Sequence, residues 1–297
     1  MNSRQWHILG AGAIGCLFAH AMAGASIPCT LIRRNTDQAH CLLKVQNHAG
    51  ESRVKIPCET ALQNKPVDQL LITTKAYDVE AALRSVRHRL TENAIVLLLV
   101  NGMGLAERAA VLLPGKRIYC GITTEGAYRR GPLDICHAGR GLTRIGALPA
   151  AAEPGWFAPW RTLDLQCQWQ EQIEPALWHK LAINCAINPL TAVYGCRNGE
   201  LGRDPKLGAE VESLCGEIAK VSRALGYSRT ADTIDEDVAR VIRDTANNRS
   251  SMLQDVQAGR QTETDFITGY LVSRAAELNL PVPHNEALLR RISDDNT

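Results

Sequence analysis

Hydrophobic and polar positions follow two different patterns along the chain. In the first half, short continuous apolar runs alternate with stretches of helical periodicity, and such runs are typical of strands covered by helices on both faces. Alternation of strand and helix predicts a parallel sheet with right-handed crossovers. The predicted strands are residues 6–9, 29–32, 69–73 and 94–100, and the predicted helices are residues 14–23, 79–90 and 104–113.

The pattern changes twice in the remainder of the chain. Between residues 116 and 148, short strand-like pieces separated by glycines predict an antiparallel extension of the sheet. After about Trp169 the strand signals nearly vanish, so we predict an α/β domain over residues 1–168 and an all-helical domain over residues 169–297. The helices predicted there are residues 174–188, 206–225, 233–247 and 265–278.

Composition narrows the class of protein. The chain has 297 residues, 45% hydrophobic and 22% charged, which is ordinary for a globular protein of about two domains. The formal net charge of +2 gives no basic field for nucleic acid. The first residues lack the features of a signal peptide, and the apolar run at 94–100 is too short to span a membrane. We therefore expect a cytoplasmic protein with no nucleic-acid or membrane partner.

The 10 cysteines are scattered, with no CxxC pair and no regular spacing. A chain of this length has core enough without covalent links, so reduced and mostly buried thiols are the simpler interpretation. We expect neither a disulfide framework nor a metal site.

A glycine motif lies near the start of the chain, in the sequence HILGAGAIG. Gly10, Gly12 and Gly15 form G-x-G-x-x-G between a predicted strand and a predicted helix. The first glycine permits a tight turn, the second lets the backbone approach a pyrophosphate, and the third lets the helix pack on the strand. The motif therefore predicts dinucleotide binding at a helix N-terminus, although glycines also occur in ordinary turns.

The end of the second predicted strand indicates which dinucleotide is bound. Arg33 and Arg34 stand where an NAD enzyme places an acid for the ribose hydroxyls, and no acid follows until Asp37. Guanidinium groups suit a 2′-phosphate, which a carboxylate would repel. We therefore predict NADP(H); the alternative is that the two arginines only keep the strand end hydrated.

Two further polar residues follow predicted strands, at the edge where ligands of such folds bind. Lys75 follows the strand at residues 69–73, and Asn101 follows the strand at residues 94–100. A surface lysine and a turn-forming Asn-Gly pair are the simpler interpretations. Their common position favours contact with cofactor and substrate.

A row of polar residues interrupts an otherwise apolar helix in the sequence KLAINCAINPL. Lys180, Asn184 and Asn188 are spaced four residues apart, so they lie on one stripe of the helix. Buried ammonium and amide groups are costly unless something hydrogen-bonds to them. We predict that the row faces a polar ligand; the alternative is a narrow stripe that faces water. His179 lies beside the row and is interpreted as structural.

A second set of polar residues follows in NNRSSMLQD and RQTETDF. Asn248 and Ser251 lie three residues apart, on one helical face. Glu263 precedes the next predicted helix, where it either belongs to a site or caps the helix. Asn198, in CRNGE, is most simply a turn residue.

Together these motifs resemble the ketopantoate reductase family over nearly the whole chain. The resemblance rests on GAGAIG, NGMG, KLAINCAINPLTA, CRNGEL, SSMLQD and TETD. It implies a Rossmann-like N-terminal domain followed by an all-helical C-terminal domain. It also implies NADPH-dependent reduction of 2-dehydropantoate, a small 2-oxo acid, to (R)-pantoate, a step toward pantothenate and coenzyme A.

The resemblance also implies roles for individual residues. Lys180 is expected to be the general acid that protonates the forming alkoxide, with Glu263 contacting the lysine or the ribose. Asn248 is expected to support the substrate contacts. The residues expected to hold substrate are Asn101, Asn184, Asn188, Asn198 and Ser251. The residues expected to contact cofactor are Gly10, Ala11, Gly12, Ala13, Ile14, Gly15, Arg34, Lys75, Asn101, Ala127 and Glu263.

The chain departs from the family pattern near Glu263, and two alternative functions remain. Thr268 stands where the family often has asparagine, and Thr264 replaces an apolar residue, which changes the expected packing there. The nearest alternative is reduction of another branched 2-oxo acid on the same fold. A second is an NADP-binding regulatory protein without turnover, which has no need of the polar row. The sequence leaves open whether the protein is a monomer or a homodimer.

Overall fold

The structure is a computed structural model that describes residues 5–294, and the chain in it divides into two compact units. The first unit comprises the residues up to Val100 together with Leu105–Glu174. The second comprises Asn101–Gly104 and the residues from Pro175 onward. The NGMG segment (Asn101–Gly104) therefore belongs to the second unit, although it follows a strand of the first.

Strands and short helices alternate in the first unit, which confirms the predicted α/β architecture. Its strands are β1 (Trp6–Leu9), β2 (Cys29–Arg33), β3 (His40–Asn47), β4 (Gly50–Thr60), β5 (Val67–Ile72), β6 (Leu90–Leu98), β7 (Arg117–Thr123), β8 (Gly126–Gly131), β9 (Asp134–Gly139), β10 (Leu142–Ala147) and β11 (Gln166–Trp169). Its helices are α1 (Ala13–Gly24), α2 (Val79–Val86) and α3 (Leu105–Leu112), with 3₁₀ segments at Ala76–Asp78, Arg87–Arg89 and Gly155–Thr162.

Within residues 5–294 the strands form one 11-stranded sheet, in the order β11-β10-β7-β6-β5-β1-β2-β4-β3-β9-β8. Its centre, from β2 through β1, β5 and β6 to β7, is parallel. The carboxyl ends of these strands therefore share one edge of the sheet, where ligands of such folds bind. Gly10 follows β1, Arg34 follows β2 and Lys75 lies just after β5, so all three belong to this edge.

The apolar pattern does not predict β3 and β4, because their buried residues alternate with exposed ones instead of forming a continuous run. β3 buries Cys41, Leu43 and Val45, and Leu42 between them is 58% exposed. This is the period-2 pattern of a strand with one covered face. The two strands pair antiparallel, and β4 joins the sheet parallel to β2.

The antiparallel extension predicted over residues 116–148 is confirmed in part. β10 pairs antiparallel with β7, and β8 pairs antiparallel with β9. The β8–β9 hairpin, however, lies at the opposite end of the sheet, where β9 pairs with β3 in parallel. Because β3 is not visible in the apolar pattern, its partner strand has no predicted position either.

The core of the first unit contains a cluster of aromatic rings. Trp6 of β1 meets Trp160 edge-to-face at a centroid distance of 5.0 Å, and Phe18 of α1 meets the same ring at 5.6 Å. Trp160 is fully buried although it lies in the short 3₁₀ segment Gly155–Thr162. Edge-to-face pairs of this kind add about 1 kcal/mol beyond the burial of their area. The aromatic cluster therefore anchors a stretch that lacks helical or strand periodicity.

The expectation that all cysteines are reduced thiols is wrong at one pair. Cys41 of β3 and Cys58 of β4 form a disulfide across the antiparallel strands. Their proximity depends on the register of the two strands, in which Cys41 lies opposite Ile56, and spacing along the sequence does not reveal it. The other cysteines are free and, apart from the half-buried Cys136, buried.

Over its described residues the second unit is all-helical, which confirms the predicted class of the C-terminal domain. The helices are α4 (Glu174–Tyr194), α5 (Asn198–Arg203), α6 (Pro205–Ala224), α7 (Ser228–Asp244), α8 (Ser251–Gln257), α9 (Thr264–Glu277) and α10 (Pro283–Asp294). Each predicted helix is present; the ends of α6 and α9 differ from the prediction by one residue, whereas α4 ends later and α7 begins earlier than predicted.

α4 is longer than predicted, because it continues past Asn188 and Pro189 to Tyr194. Proline removes one backbone N–H and usually ends or kinks a helix. Every residue from Cys185 to Ala192 is buried, so packing on both sides of Pro189 keeps this part helical. Among the helices within residues 5–294, α4 included, none is long and apolar enough to cross a membrane.

The predicted domain boundary, between residues 168 and 169, falls inside β11, whereas the compact units change over between Glu174 and Pro175. Trp169 pairs with Ile145 of β10 and so continues the sheet. The domain boundary itself stays a prediction.

Glu217 of α6 is a buried carboxylate that caps α10. It accepts hydrogen bonds from the backbone N–H groups of His284 and Asn285, at 2.8 and 3.0 Å, and from Nδ2 of Asn285 at 2.8 Å. The first N–H groups of a helix have no intrahelical partner, and a helix N-terminus favours negative charge. Glu217 therefore fastens the last helix to α6.

We expect Glu217→Ala to reduce the free energy of unfolding by about 3 kcal/mol, because three donors lose a charged and buried acceptor. Urea unfolding followed by circular dichroism measures the change. Glu212→Ala, at an exposed position of the same helix, is the matched control and should change stability by less than about 0.5 kcal/mol. Equal losses in the two variants would contradict the capping role.

Candidate functional site

The glycine motif forms the turn between β1 and α1. Gly10 has φ +117°, and a Cβ atom there would lie 2.7 Å from the backbone of Thr73. A Cβ at Gly15 would lie 2.0 Å from the carbonyl oxygen of Gly10. Oγ1 of Thr73 donates a hydrogen bond to that same oxygen at 2.7 Å. Close packing of the turn against the residue after β5 therefore requires glycine at both positions.

Gly12 differs from its neighbours because the space beside it is open. An added Cβ would lie 3.9 Å from its nearest neighbour, the carbonyl oxygen of Thr73. Gly12 caps α1, and the N–H groups of a first helical turn, here beginning at the half-buried Ala13 and Ile14, lack intrahelical partners. The open glycine and these donors fit a pyrophosphate, and Ala11 completes the same turn.

Arg34, Lys75 and Ala127 lie at separate points of the first unit. Arg34 exposes 87% of its side chain and pairs with Asp78 at 2.9 Å. Lys75 is half-buried and immediately precedes the 3₁₀ segment Ala76–Asp78, so the ion pair brings Arg34 to the segment that Lys75 begins. Ala127 is half-buried in β8, a strand that approaches α1. No spacing in the sequence indicates Asp78, because the ion pair joins two different strand ends.

The polar row lies on α4, and none of its three members is exposed. Asn188 is 8% exposed, and Lys180 and Asn184 are half-buried. Leu181 and Cys185, which flank the row, are buried. This partial burial disfavours the alternative of a stripe that faces water.

Lys180 belongs to a hydrogen-bonded group with Asn101 and Glu263. Nζ of Lys180 donates to Oδ1 of Asn101 at 3.1 Å. Nδ2 of Asn101 donates to Oε2 of Glu263 at 3.3 Å. The amide therefore uses its acceptor for the cation and its donor for the carboxylate, and it links the two charges.

Packing of the NGMG segment against α9 holds Asn101 in place. Gly102 has φ +88°, and a Cβ atom there would lie 2.5 Å from the carbonyl oxygen of Phe266. The N–H of Met103 donates to that oxygen at 3.1 Å. The segment is thus the turn that an Asn-Gly pair favours, and its asparagine also contacts Lys180.

Glu263 occupies the N-cap position of α9, but its side chain does not cap the helix by a hydrogen bond. The residue is 4% exposed, and within the described part of the chain its side chain makes no capping hydrogen bond to the helix. Side-chain capping by a hydrogen bond is therefore not the role of Glu263. The carboxylate instead receives the amide of Asn101.

Burial lowers the pKa of Lys180 from 10.5 to about 8, and the carboxylate of Glu263 opposes the shift. Loss of hydration thus outweighs attraction to the carboxylate, a balance that the sequence leaves open. An amine with this pKa is mostly protonated at neutral pH and gives up its proton more readily than an ordinary lysine. The group can therefore act as an acid toward a bound oxygen.

Asn198 and Asn248 form a second group, at the start of α5. The N–H of Asn198 donates to the carbonyl oxygen of Asn248 at 3.1 Å, and its Nδ2 donates to Oγ1 of Thr245 at 2.8 Å. Oδ1 of Asn198 is buried and has no hydrogen-bond partner among residues 5–294. Asn198 is therefore more than a turn residue, because a buried acceptor of this kind suits a donor on a ligand. Ser251, exposed like Asn248, begins α8.

Thr191 and Ser250 are buried polar residues that the motifs do not single out. Their hydroxyl oxygens lie 2.7 Å apart, and Ser250 caps α8 by accepting the N–H of Leu253 at 3.0 Å. A serine just before an apolar helical run is an N-cap signal, so Ser250 was detectable. Thr191 carries no such signal, because a threonine on an apolar helix equally suits ordinary packing.

His179 has structural surroundings. His179 lies 3.2 Å from Oγ1 of Thr230 and 3.3 Å from Oδ2 of Asp237, so it links α4 to α7. Thr264 and Thr268 are buried in α9. Among residues 5–294, no group of three or more His, Cys, Asp or Glu side chains is placed to hold a metal ion.

Comparison with known proteins relates both halves of the chain to one family. The family model described as Ketopantoate reductase PanE/ApbA matches residues 6–150, and the model described as Ketopantoate reductase PanE/ApbA C terminal matches residues 172–294. The 2-dehydropantoate 2-reductase of Vibrio cholerae serotype O1 is 34% identical over 299 residues, which cover 96% of this chain and 95% of the relative.

Solved structures show the same likeness. The PanE/ApbA family ketopantoate reductase from Ralstonia eutropha JMP134 superposes with a TM-score of 0.88 at 25% identity, over 99% of this chain and 98% of that one. D-mandelate dehydrogenase, in a structure with NADH and anilino(oxo)acetate, has a TM-score of 0.89 at 21% identity and covers the same shares, 99% and 98%. The second likeness concerns the fold alone.

We expect Glu263→Gln to lower the pKa of Lys180 further, because it removes the negative charge that favours the protonated amine while keeping a similar shape. Carbon NMR titration of labelled lysine side chains measures this pKa, with Lys180→Met identifying the signal. Glu277→Gln, at the exposed far end of α9, is the control and should leave the pKa unchanged. An unchanged pKa of Lys180 in Glu263→Gln would show that the carboxylate does not influence the amine.

Proposed function

Because the chain belongs to the ketopantoate reductase family, we propose that it reduces 2-dehydropantoate to (R)-pantoate with NADPH as hydride donor. The observation that carries this proposal is the hydrogen-bonded group of Lys180, Asn101 and Glu263. Reduction of a ketone needs a proton donor with a pKa near the working pH, held where water is scarce. The half-buried amine on α4, with its lowered pKa of about 8, meets both requirements.

Lys180 is assigned as the general acid. The dinucleotide, when bound, supplies a hydride to the ketone carbon. Negative charge then develops on the ketone oxygen, where the N⁺–H of Lys180 stabilises it and delivers the proton. Asn101 orients the amine by accepting a hydrogen bond from Nζ at 3.1 Å, and Glu263 favours the protonated form before the reaction.

The asparagines and serine supply neutral partners for the substrate. A 2-oxo acid with a hydroxyl needs donors for its carboxylate and an acceptor for its hydroxyl, and carboxamides provide both. Asn184 and Asn188 continue the stripe that begins at Lys180. Oδ1 of Asn198, buried without a partner among residues 5–294, is assigned to the hydroxyl. Asn101, Asn248 and Ser251 complete the proposed set of substrate contacts.

The turn after β1 is assigned to the cofactor. The open space at Gly12 and the first turn of α1 suit the pyrophosphate. Arg34 is assigned to the 2′-phosphate, because its side chain is 87% exposed and its contact with Asp78 is a surface ion pair of small strength. The remaining proposed cofactor contacts are Gly10, Ala11, Ala13, Ile14, Gly15, Lys75, Asn101, Ala127 and Glu263.

Two alternatives are weighed against this proposal. Reduction of another branched 2-oxo acid uses the same groups and differs only in the shape of the substrate. A regulatory protein that binds NADP without turnover would have no use for an ammonium group partly withdrawn from water, which is costly to maintain. The remaining parts of the proposal rest on the sequence: a domain boundary at residue 168, a cytoplasmic location, and a monomer or homodimer.

We expect the protein to oxidise NADPH in the presence of 2-dehydropantoate, and Lys180→Ala to reduce kcat by about 10²- to 10⁴-fold, the usual effect of losing a general acid. NADPH oxidation is followed by absorbance, and NADPH binding by fluorescence should persist in the variant. Lys220→Ala, at an exposed lysine of α6, is the matched control. Turnover of a different 2-oxo acid in preference to 2-dehydropantoate would favour the first alternative.

The pH profile provides a second readout of the same assignment. A general acid works only while protonated, so kcat/KM should fall as the pH rises through about 8, the pKa of Lys180. A profile flat up to pH values near 10, the range of an ordinary lysine, would remove Lys180 from this role.

We expect Arg34→Ala to weaken NADPH binding by about 10-fold or more, because a 2′-phosphate loses a charge-assisted partner. NADH lacks that phosphate, so its affinity should change little. Dissociation constants from fluorescence titration test both cofactors, with Arg84→Ala, an exposed arginine of α2, as the matched control. Equal losses for NADPH and NADH would assign Arg34 a different role.

A further inference from the structure

The segment that carries Asn248 and leads into Ser251 is fastened to two other helices. On one side, backbone N–H groups at the start of α5 donate to it: Asn198 to the carbonyl of Asn248 at 3.1 Å, and Gly199 to the carbonyl of Ala246 at 3.0 Å. On the other side, Ser250 contacts Thr191 of α4 through its hydroxyl group. The segment is therefore held between α5 and α4.

The contact with α4 is a chain of buried hydroxyls. Thr191 is 0% exposed and Ser250 is 6% exposed. Oγ1 of Thr191 lies 2.9 Å from the carbonyl oxygen of Asn188 and 2.7 Å from Oγ of Ser250, which also accepts the N–H of Leu253 at 3.0 Å. A hydroxyl has one proton. Thr191 therefore donates to Asn188 and accepts from Ser250, and all three contacts are satisfied.

Pro189 explains why this end of α4 benefits from the hydrogen bonds of Thr191 and Ser250. Proline has no N–H, so the carbonyl of Cys185, four residues earlier, receives no bond from position 189. The missing bond weakens the turn from Cys185 to Pro189, so Asn188 lies in the weakened turn and Thr191 lies just after it. A side-chain contact to another helix restores a fixed position to this end of α4.

We propose that Thr191 and Ser250 are positioning residues for substrate binding, because their hydroxyls fix the spacing between Asn188 on α4 and Ser251 at the start of α8. The proposal rests on the proposed function, in which Asn188 and Ser251 contact the substrate. Thr191 itself is fully buried and touches polar groups of the protein, so it acts through its neighbours.

The expected effect falls on substrate affinity. Contacts of Asn188, Asn248 and Ser251 with the substrate's unreactive groups are the same before and during the reaction, so loosening them raises KM with little change in kcat. The amine of Lys180 keeps its partners Asn101 and Glu263, which come from outside the loosened segment. A general loss of stability would not raise KM while leaving kcat almost unchanged.

The test compares Thr191→Val with Thr191→Ser. Valine keeps the shape and removes the hydroxyl, and we expect KM for 2-dehydropantoate to rise about fivefold, the effect of one buried hydrogen bond. We expect kcat to stay within about twofold and the Kd for NADPH to stay unchanged. Serine keeps the hydroxyl and should restore KM.

Ser222→Ala is the matched control, because it removes another buried hydroxyl that ties α4 to a neighbouring helix. Oγ of Ser222 accepts from Nε1 of Trp178 at 2.9 Å, far along the helix from Asn188. Ser222→Ala should lower the melting temperature but leave KM unchanged. If Thr191→Val does not fold, Ser250→Ala is measured against the same control, with the same rise in KM expected.

The outcomes separate the two proposals. Normal reduction by the wild-type protein with an unchanged KM in Thr191→Val or Ser250→Ala overturns the positioning role and leaves the proposed function intact. Wild-type protein that does not reduce 2-dehydropantoate overturns both. If KM is raised in Thr191→Ser as much as in Thr191→Val, the hydroxyl is not the cause and the positioning role is also overturned.

Discussion

The second unit is organised around one constraint, which is that an ammonium group lies on a helix with apolar flanks. Lys180 cannot lose water there without a substitute, because an unpartnered charge away from water is costly. Asn101 and Glu263 supply the substitute. Along the sequence, Asn101 lies 79 residues from Lys180 and 162 residues from Glu263. The positive φ of Gly102 and its tight fit against Phe266 follow from the same constraint, since they hold Asn101 at the required place.

Buried polar contacts also decide how the other helices of this unit meet. Glu217 fastens α10 to α6, Ser222 ties α6 to α4 through Trp178, and Thr191 ties α4 to α8. Apolar packing alone tolerates small shifts of one helix along another, whereas a buried hydrogen bond has a narrow range of distances and angles. The second unit holds several asparagine side chains at fixed positions around the amine of Lys180, and buried hydrogen bonds suit that requirement better than apolar packing alone.

The sequence predicts those parts of the fold and site that depend on local spacing. The parallel centre of the sheet, the glycine turn and the row Lys180, Asn184, Asn188 are visible because strand runs, loop glycines and a four-residue period are local signals. β3, β4 and the Cys41–Cys58 disulfide are not visible, since pairing and register join distant segments. Glu263 is ambiguous from the sequence for the same reason: a carboxylate before a helix looks like a cap until its distant partner, Asn101, is known.

The chemistry of the site depends on two opposing effects on one amine. Burial alone would lower the pKa of Lys180 further than is found beside Glu263, and the amine would then hold a proton less often. A strong ion pair without burial would keep the pKa near or above that of free lysine, and the proton would be held too tightly to reach an alkoxide quickly. The structure combines the two, with burial the larger effect and Glu263 opposing it. Because the amide of Asn101 contacts both charged groups, a change in the position of the NGMG segment alters the orientation of the amine and the placement of the carboxylate together.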